Sequence, residues 1–317
     1  EKEKYLTTSM IMTLLDTHRS LQAEQDKKFN SNEHLADRAE RAESGWVSNP
    51  ALPGLRTVEI NISEFCNRTC SFCPRSDPDV YANQKLFMST TTGMEIGKQL
   101  SEAEFDGEIH ITGFGEPLTH PEIFELLISI AQNWCHHIEI TTNGDRLEAD
   151  QSLINKLFAC GISRVTIDSY DGLEQYDRFV HMMRHYPEER WRIRNHYDDP
   201  NKDKNELITE YNFNNRAGNS AEAEALQNKC YLPFYKTMID WNGDLVLCCN
   251  DWQRASGTFG NINETNLSDI WLSEPIVNIR RQLSQGIRKG PACGSCNVGG
   301  TAFGEKSFNL HRNNYLQ

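Results

Sequence analysis

Cys66-Asn67-Arg68-Thr69-Cys70-Ser71-Phe72-Cys73 places three thiols within eight residues. Three cysteines cannot complete a four-sulfur cage, so whatever they bind keeps one position for a ligand that is not cysteine. A cubane [4Fe–4S] cluster is ordinarily held by four thiolates, in runs with two or three residues between them. The spacing here wraps three corners and leaves the fourth iron open to a chelating small molecule. A structural zinc site asks for four protein ligands, and no His or further Cys stands close enough in sequence to supply the fourth. The spacing favours iron–sulfur, with a zinc loop as the plain alternative.

Upstream, Arg56 to Ile62 alternates as a strand with Val58, Ile60 and Ile62 on one face, and it runs straight into the cysteine loop. Downstream, strand and helix alternate. The expected helices are Ser89 to Phe105, Pro121 to Asn133, Asp150 to Cys160 and Leu173 to His185. The expected strands are Glu108 to Thr112, Ile138 to Thr142, Val165 to Asp168, Arg190 to Asn195 and Leu207 to Phe213. Such alternation predicts an α/β fold with a parallel sheet, and six strands suit a partial (β/α)6 barrel of the TIM type, with ligands at the C-terminal ends of the strands. The expected organisation is a polar helical arm over 1–50, the barrel over 51–220, and a small cysteine-rich domain with a tail over 221–317.

The 317 residues carry a net charge of −13, which argues against a nucleic-acid backbone or an anionic membrane surface as the main partner. No apolar run reaches membrane-spanning length, and Glu1 to Tyr5 has no charged-then-apolar signal pattern. The ten cysteines are grouped as ligands and not as a disulfide framework, which points to a reducing compartment, the cytoplasm.

The arrangement Cys66-x3-Cys70-x-Phe72-Cys73 resembles the cluster loop of the radical S-adenosylmethionine (SAM) superfamily. The resemblance implies that SAM chelates the open iron and is cleaved to a 5'-deoxyadenosyl radical, which takes a hydrogen atom from the substrate. It also implies an electron donor such as flavodoxin or ferredoxin. Gly113-Phe114-Gly115-Glu116-Pro117 is similar to the superfamily's Gly-Gly-Glu-Pro motif, with Phe114 inserted, and implies that Gly113, Gly115, Glu116 and Pro117 receive the amino group of SAM. Phe72, Thr142 and Asn143 are likewise placed at the cofactor, Asp168 and Ser169 at its ribose or carboxylate, and Arg178 at its carboxylate, against a surface ion pair as the alternative for Arg178. Arg192 and Arg194 share one side of the fifth strand. Arg194 and Arg216 are candidate catalytic or substrate-contacting residues.

A second set, Cys230-x17-Cys248 with Cys293-x2-Cys296, makes one complete four-sulfur site, for which a zinc ribbon is the simplest reading. With Trp241-Asn242-Gly243 before Cys248, it resembles the SPASM/twitch extensions that follow radical SAM barrels. No cysteine follows Cys296, which matches the twitch form with one auxiliary [4Fe–4S] cluster. Cys135 and Cys160 read as small core residues, and Cys249 as a packed neighbour, a spare ligand or a hydrogen-atom donor.

These features imply an oxidoreductase acting on a small-molecule or peptide substrate, with an aminocyclitol or sugar alcohol fitting the polar candidates best. The alternatives are a redox-neutral sugar epimerase, a peptide maturase, and, from another class, a non-catalytic metal-binding module.

Overall fold

The computed structural model describes residues 49–196, 215–219, 224–299 and 305–315. The expected arm and the strand expected from Leu207 to Phe213 lie outside the described residues, apart from Asn49 and Pro50. Five of the expected strands are present: β1 (Thr57–Ile60), β2 (Glu108–Ile111), β3 (His137–Thr142), β4 (Arg164–Ser169) and β5 (Trp191–Asn195). Each pairs in parallel with the next. Between them run α1 (Thr90–Glu102), α2 (Ile123–Ala131), α3 (Asp145–Ala149), α4 (Ser152–Ala159) and α5 (Leu173–Met183). The helix expected from Asp150 is preceded by the short α3, because the Asp150 carboxylate accepts from the Ser152 amide at 3.0 Å and starts a new helix there.

The alternation within each strand sorts the two faces of the sheet. Val58, Ile60, Ile109, Ile111, Ile138, Ile140, Val165, Ile167 and Ile193 are buried in one core with Leu100, Leu126, Ile130, Leu157 and Phe179 from the helices. Each such side chain contributes roughly 1.5–3 kcal/mol relative to exposure. On the other face stand Glu59, His110, Glu139, Thr166 and Asp168, all buried and all polar. Parallel strands covered on both faces usually read as continuous apolar runs; here the inner face is a polar chamber of a partial barrel.

The sheet does not end at β1. From the C-terminal part of the chain, β6 (Lys236–Ile239) pairs in parallel with β1, and β7 (Asp244–Val246) and β8 (Thr258–Asn261) follow antiparallel. The result is one eight-stranded sheet of order β5-β4-β3-β2-β1-β6-β7-β8. Behind it, α6 (Leu232–Tyr235), α7 (Leu267–Trp271) and α8 (Glu274–Ser284) are tied together by buried Arg280, which donates to Pro233 O at 2.7 Å and Trp271 O at 2.6 Å. A final helix, α9 (Glu305–Tyr315), packs Phe308 on Tyr231 and Phe234.

The α1–α2 contact depends on two glycines one turn apart. A Cβ on Gly93 would stand 2.5 Å from Leu126 Cδ1, and one on Gly97 would stand 2.4 Å from the Ile130 carbonyl oxygen. In an exposed helix, Gly→Ala gains about 1 kcal/mol. Here overpacking wins, and Gly97→Ala is expected to destabilise the protein by about 1–3 kcal/mol in urea unfolding; a rise in stability would contradict this packing.

Candidate active site

The chain leaves β1 at the end where the cysteine loop begins. Asn83 holds that loop from both sides of Cys66: its Oδ1 accepts the Cys66 amide at 3.0 Å and its Nδ2 donates to Cys66 O at 2.8 Å. Arg68, inside the loop, donates from Nε to Asp145 at 2.8 Å and from Nη1 and Nη2 to Asp171 at 2.9 and 2.8 Å, tying the loop to the exits of β3 and β4. Burial pushes the Cys66 thiol up, and pushes Cys70 up to about 11 with help from Cys66 and Cys73. Loading metal therefore means displacing protons.

The second set converges below. Cys230, Cys248, Cys293 and Cys296 line one cavity with Leu232 and Leu283. Burial raises the Cys230 and Cys248 thiols and takes Cys293 up to about 12. A local pattern recurs in both sets: the amide two residues on donates to sulfur, from Arg68 to Cys66, Leu232 to Cys230, Asn250 to Cys248 and Val298 to Cys296. Amide bonds to cysteine sulfur are one of the means by which a protein tunes an iron–sulfur cluster. Among the described residues no three His, Cys, Asp or Glu side chains close around one metal ion. Four thiol sulfurs lining one cavity are the donor set that a [4Fe–4S] cluster takes.

The two sets occupy opposite ends of the same strands. β6 runs up beside β1, and the antiparallel β7 returns the chain, so that Cys248 falls level with the start of β6. Between the ends lies the polar inner face.

At the upper end, Glu116, Thr142 and Asn143 form one hydrogen-bonded unit. Thr142 Oγ1 donates to Glu116 Oε1 at 2.6 Å, and the Asn143 amide to Oε2 at 2.8 Å. Burial pushes the Glu116 carboxyl up to about 7 even though these bonds and the Leu118 amide favour its ionised form. Pro117 opens a short turn, Pro117–Thr119, capped by Glu116. Gly113 has a φ of +149°, and a Cβ on Gly115 would stand 2.1 Å from Ser63 O, so the motif lies flush against the entry to the cysteine loop. Phe72 faces Tyr170 at 5.5 Å and His196 at 6.4 Å between ring centres.

Three expected contacts are placed differently. Asp168 is buried with both oxygens engaged: Arg194 Nε lies 2.5 Å from Oδ1 and Nη2 2.7 Å from Oδ2, with His196 and the Tyr170 hydroxyl at 3.2 Å. Burial alone would raise this carboxyl, but Arg194 and His196 hold it well below the usual carboxylate range. Arg194 is thus Asp168's partner, and the pair presents as one unit. Ser169 lies on the opposite face of β4, with its hydroxyl donated to Gln175 at 3.3 Å. Arg178 pairs with Glu148, its side chain 54% exposed, which is the surface ion pair given as the alternative for it.

Burial and the Glu59 carboxylate push the Cys249 thiol up, against smaller opposite effects of Lys236 and Arg216. Arg216, Ala217 and Gly218 have φ of 47°, 54° and 90°, held by Asn215, whose amide donates to Asn297 Oδ1 at 2.7 Å and whose Nδ2 donates to Ser295 O at 2.7 Å. Beside Cys249 stands an ion pair missing from the sequence reading: Lys236 Nζ donates to Glu59 Oε1 at 2.8 Å and lies 3.6 Å from Cys249 Sγ. The signal was Glu59 itself, a charge between Val58 and Ile60. Cys160 is buried as expected, while Cys135 is exposed, beyond the end of α2.

Residues 60–197 match the family model described as the radical SAM superfamily, and residues 230–297 match an iron–sulfur cluster-binding domain, SPASM. The chain thus carries a radical SAM domain, of the kind that uses SAM with a [4Fe–4S] cluster, followed by a SPASM domain, of the kind that holds auxiliary clusters, and it is an enzyme. It is 26% identical to the S-adenosyl-L-methionine-dependent 2-deoxy-scyllo-inosamine dehydrogenase of Niallia circulans over 261 residues, 76% of this chain and 92% of that protein. Its fold matches the crystal structure of BtrN in complex with AdoMet and 2-DOIA, with a TM-score of 0.63 and 24% identity over 77% of this chain and 94% of that one. It also matches Streptococcus suis SuiB bound to precursor peptide SuiA, with a TM-score of 0.50 and 17% identity over 72% and 67%. No described helix is long and apolar enough to cross a membrane.

If Glu116 receives the SAM ammonium, it does so as a carboxylate. Because burial holds its pKa near 7, protons compete with the cofactor below that value, and SAM affinity falls by about tenfold per pH unit on the acid side. Equilibrium dialysis of cluster-loaded protein between pH 5.5 and 7 is expected to show this slope, and Glu116→Gln to abolish it. A slope unchanged by the substitution would remove Glu116 from the site.

Proposed function

We propose that the chain is a dehydrogenase that oxidises a secondary alcohol of a small hydroxylated ring, of the aminocyclitol or sugar-alcohol class. The observation that carries this reading is the buried Glu59–Lys236 pair beside Cys249, on the inner face next to a cysteine set with four sulfurs of its own. A set that supplies four sulfurs leaves no corner for substrate and suits an electron acceptor. Similarity over 92% of the inosamine dehydrogenase supports the same outcome.

Converting a carbinol to a ketone removes a hydrogen atom, a proton and an electron. When bound, SAM and its cluster supply the 5'-deoxyadenosyl radical that takes the hydrogen atom. In this reading Lys236, kept as an ammonium by Cys249 and Glu59 against the effect of burial, orients a substrate hydroxyl. Glu59 accepts the hydroxyl proton, and Arg216 holds a second oxygen. The second cysteine set would hold a cluster, which would supply an acceptor for the remaining electron. The division at residue 220, the cytoplasm, and flavodoxin or ferredoxin as electron donor complete the reading.

Under anaerobic conditions with a reductant, SAM and 2-deoxy-scyllo-inosamine, ketone and 5'-deoxyadenosine are expected in equal amounts. Glu59→Gln is expected to lower ketone formation by about 100-fold, the scale of general-base catalysis. Solvent deuterium entering a substrate carbon with no net oxidation would replace this reading by epimerisation.

A further inference from the structure

Arg254, in the loop between β7 and β8, has a φ of 51°. A non-glycine residue in this left-handed region persists only where its surroundings over-determine it. Here the surroundings are the cofactor end of the barrel. Its Nε donates to Asp240 Oδ2 at 2.7 Å, Nη2 donates to Glu64 and lies 2.6 Å from Asp240, and Nη1 donates to the Tyr81 hydroxyl and, at 2.6 Å, to Trp252 O. Asn61 Nδ2 bridges the same two carboxylates at 2.7 Å each, while its Oδ1 accepts the Phe114 amide at 2.9 Å.

Phe114 is the insertion in the Gly113–Pro117 motif, and its partners account for it. The Arg254 guanidinium lies 4.3 Å from its ring centre, with Trp252 at 5.1 Å and Tyr81 at 6.2 Å. Arg75, just beyond Cys73, donates to Phe114 O at 2.8 Å. Phe114, Tyr81, Trp252, Met238 and Val246 form one apolar cluster that touches both Cys73 and Cys249. A residue extra to the motif thus packs on side chains from the C-terminal region.

We propose that Arg254 is a positioning residue that couples SAM affinity to the docking of the C-terminal module against the barrel. Glu64 and Asp240, each with a side chain 5% exposed, converge on its guanidinium. Without Arg254, Asp240 loses its cation while Glu64 keeps only the longer pairing with buried Arg75, at 3.8 Å, so the two carboxylates are drawn apart. Glu64 lies two residues before Cys66, so its movement displaces the cysteine loop, and Phe114 loses the seat that fixes Gly113 and Glu116. The coupling holds whatever the substrate, and stands apart from the dehydrogenase reading.

In cluster-loaded full-length protein, Arg254→Met is expected to raise the SAM Kd by about 5- to 150-fold, the usual span of site-to-site coupling, at unchanged iron content. Arg254→Lys should recover part of the loss. Trp252→Leu removes the ring while leaving the charges paired, and should raise Kd in the same direction; it decides the matter if Arg254→Met does not fold. Coupling is reciprocal, so adding SAM should slow amide exchange over residues 250–257 of the wild type, a response that a merely structural contact would not give. An unchanged Kd in folded Arg254→Met or in Trp252→Leu, or no SAM-dependent protection in that loop, overturns the proposal.

Discussion

Four residues of β1 paired in parallel with four of β6 set the frame for everything else in the molecule. Parallel pairing fixes direction as well as neighbour. It makes the strand that feeds Cys66, Cys70 and Cys73 and the strand that precedes Cys248 rise side by side, so the return through β7 has to put the second cysteine set at the far end. The distance between the two sites is then set by strand length, at about 3.3 Å per residue, and is insensitive to loops. A hydrogen-bonded seam of this kind is a stiffer spacer than a linker between separate lobes.

The chamber between the two ends is expensive to maintain. Buried charges are tolerated when paired and costly when one partner is lost. Glu59 has Lys236, Asp168 has Arg194, and Glu139 accepts from Thr166 Oγ1 at 2.9 Å with Arg164 at 3.7 Å. The apolar face against the helices carries the folding energy, and that surplus lets the inner face be given over to chemistry. The strict alternation of the strands is the device that keeps the two tasks on separate sides.

Much of this was legible in the sequence because the signals were local. The cysteine spacings, the glycines before Glu116 and the apolar periodicity each depend on residues within a turn or a strand of one another, and they marked the two cysteine sets, the turn at Glu116 and the parallel strands. What escaped was set by pairing over long separations. Nothing near Lys236 announces that it will lie beside β1 and meet Glu59, and nothing near Asp168 announces that Arg194, 26 residues on, will occupy it. For Arg178 the sequence leaves a cofactor contact and a surface ion pair open, since spacing puts it on a helix but only packing decides which way that helix turns. No local signal near Lys236–Ile239 marks it as the strand that extends the described sheet at the β1 edge.

The three consecutive left-handed residues from Arg216 to Gly218 cannot keep that shape by themselves. They are held by Asn215 gripping Ser295 and Asn297, the stretch that carries Cys296. The place of Arg216 and the path of the loop that carries Cys293 and Cys296 are therefore joined through Asn215, and neither can shift without the other.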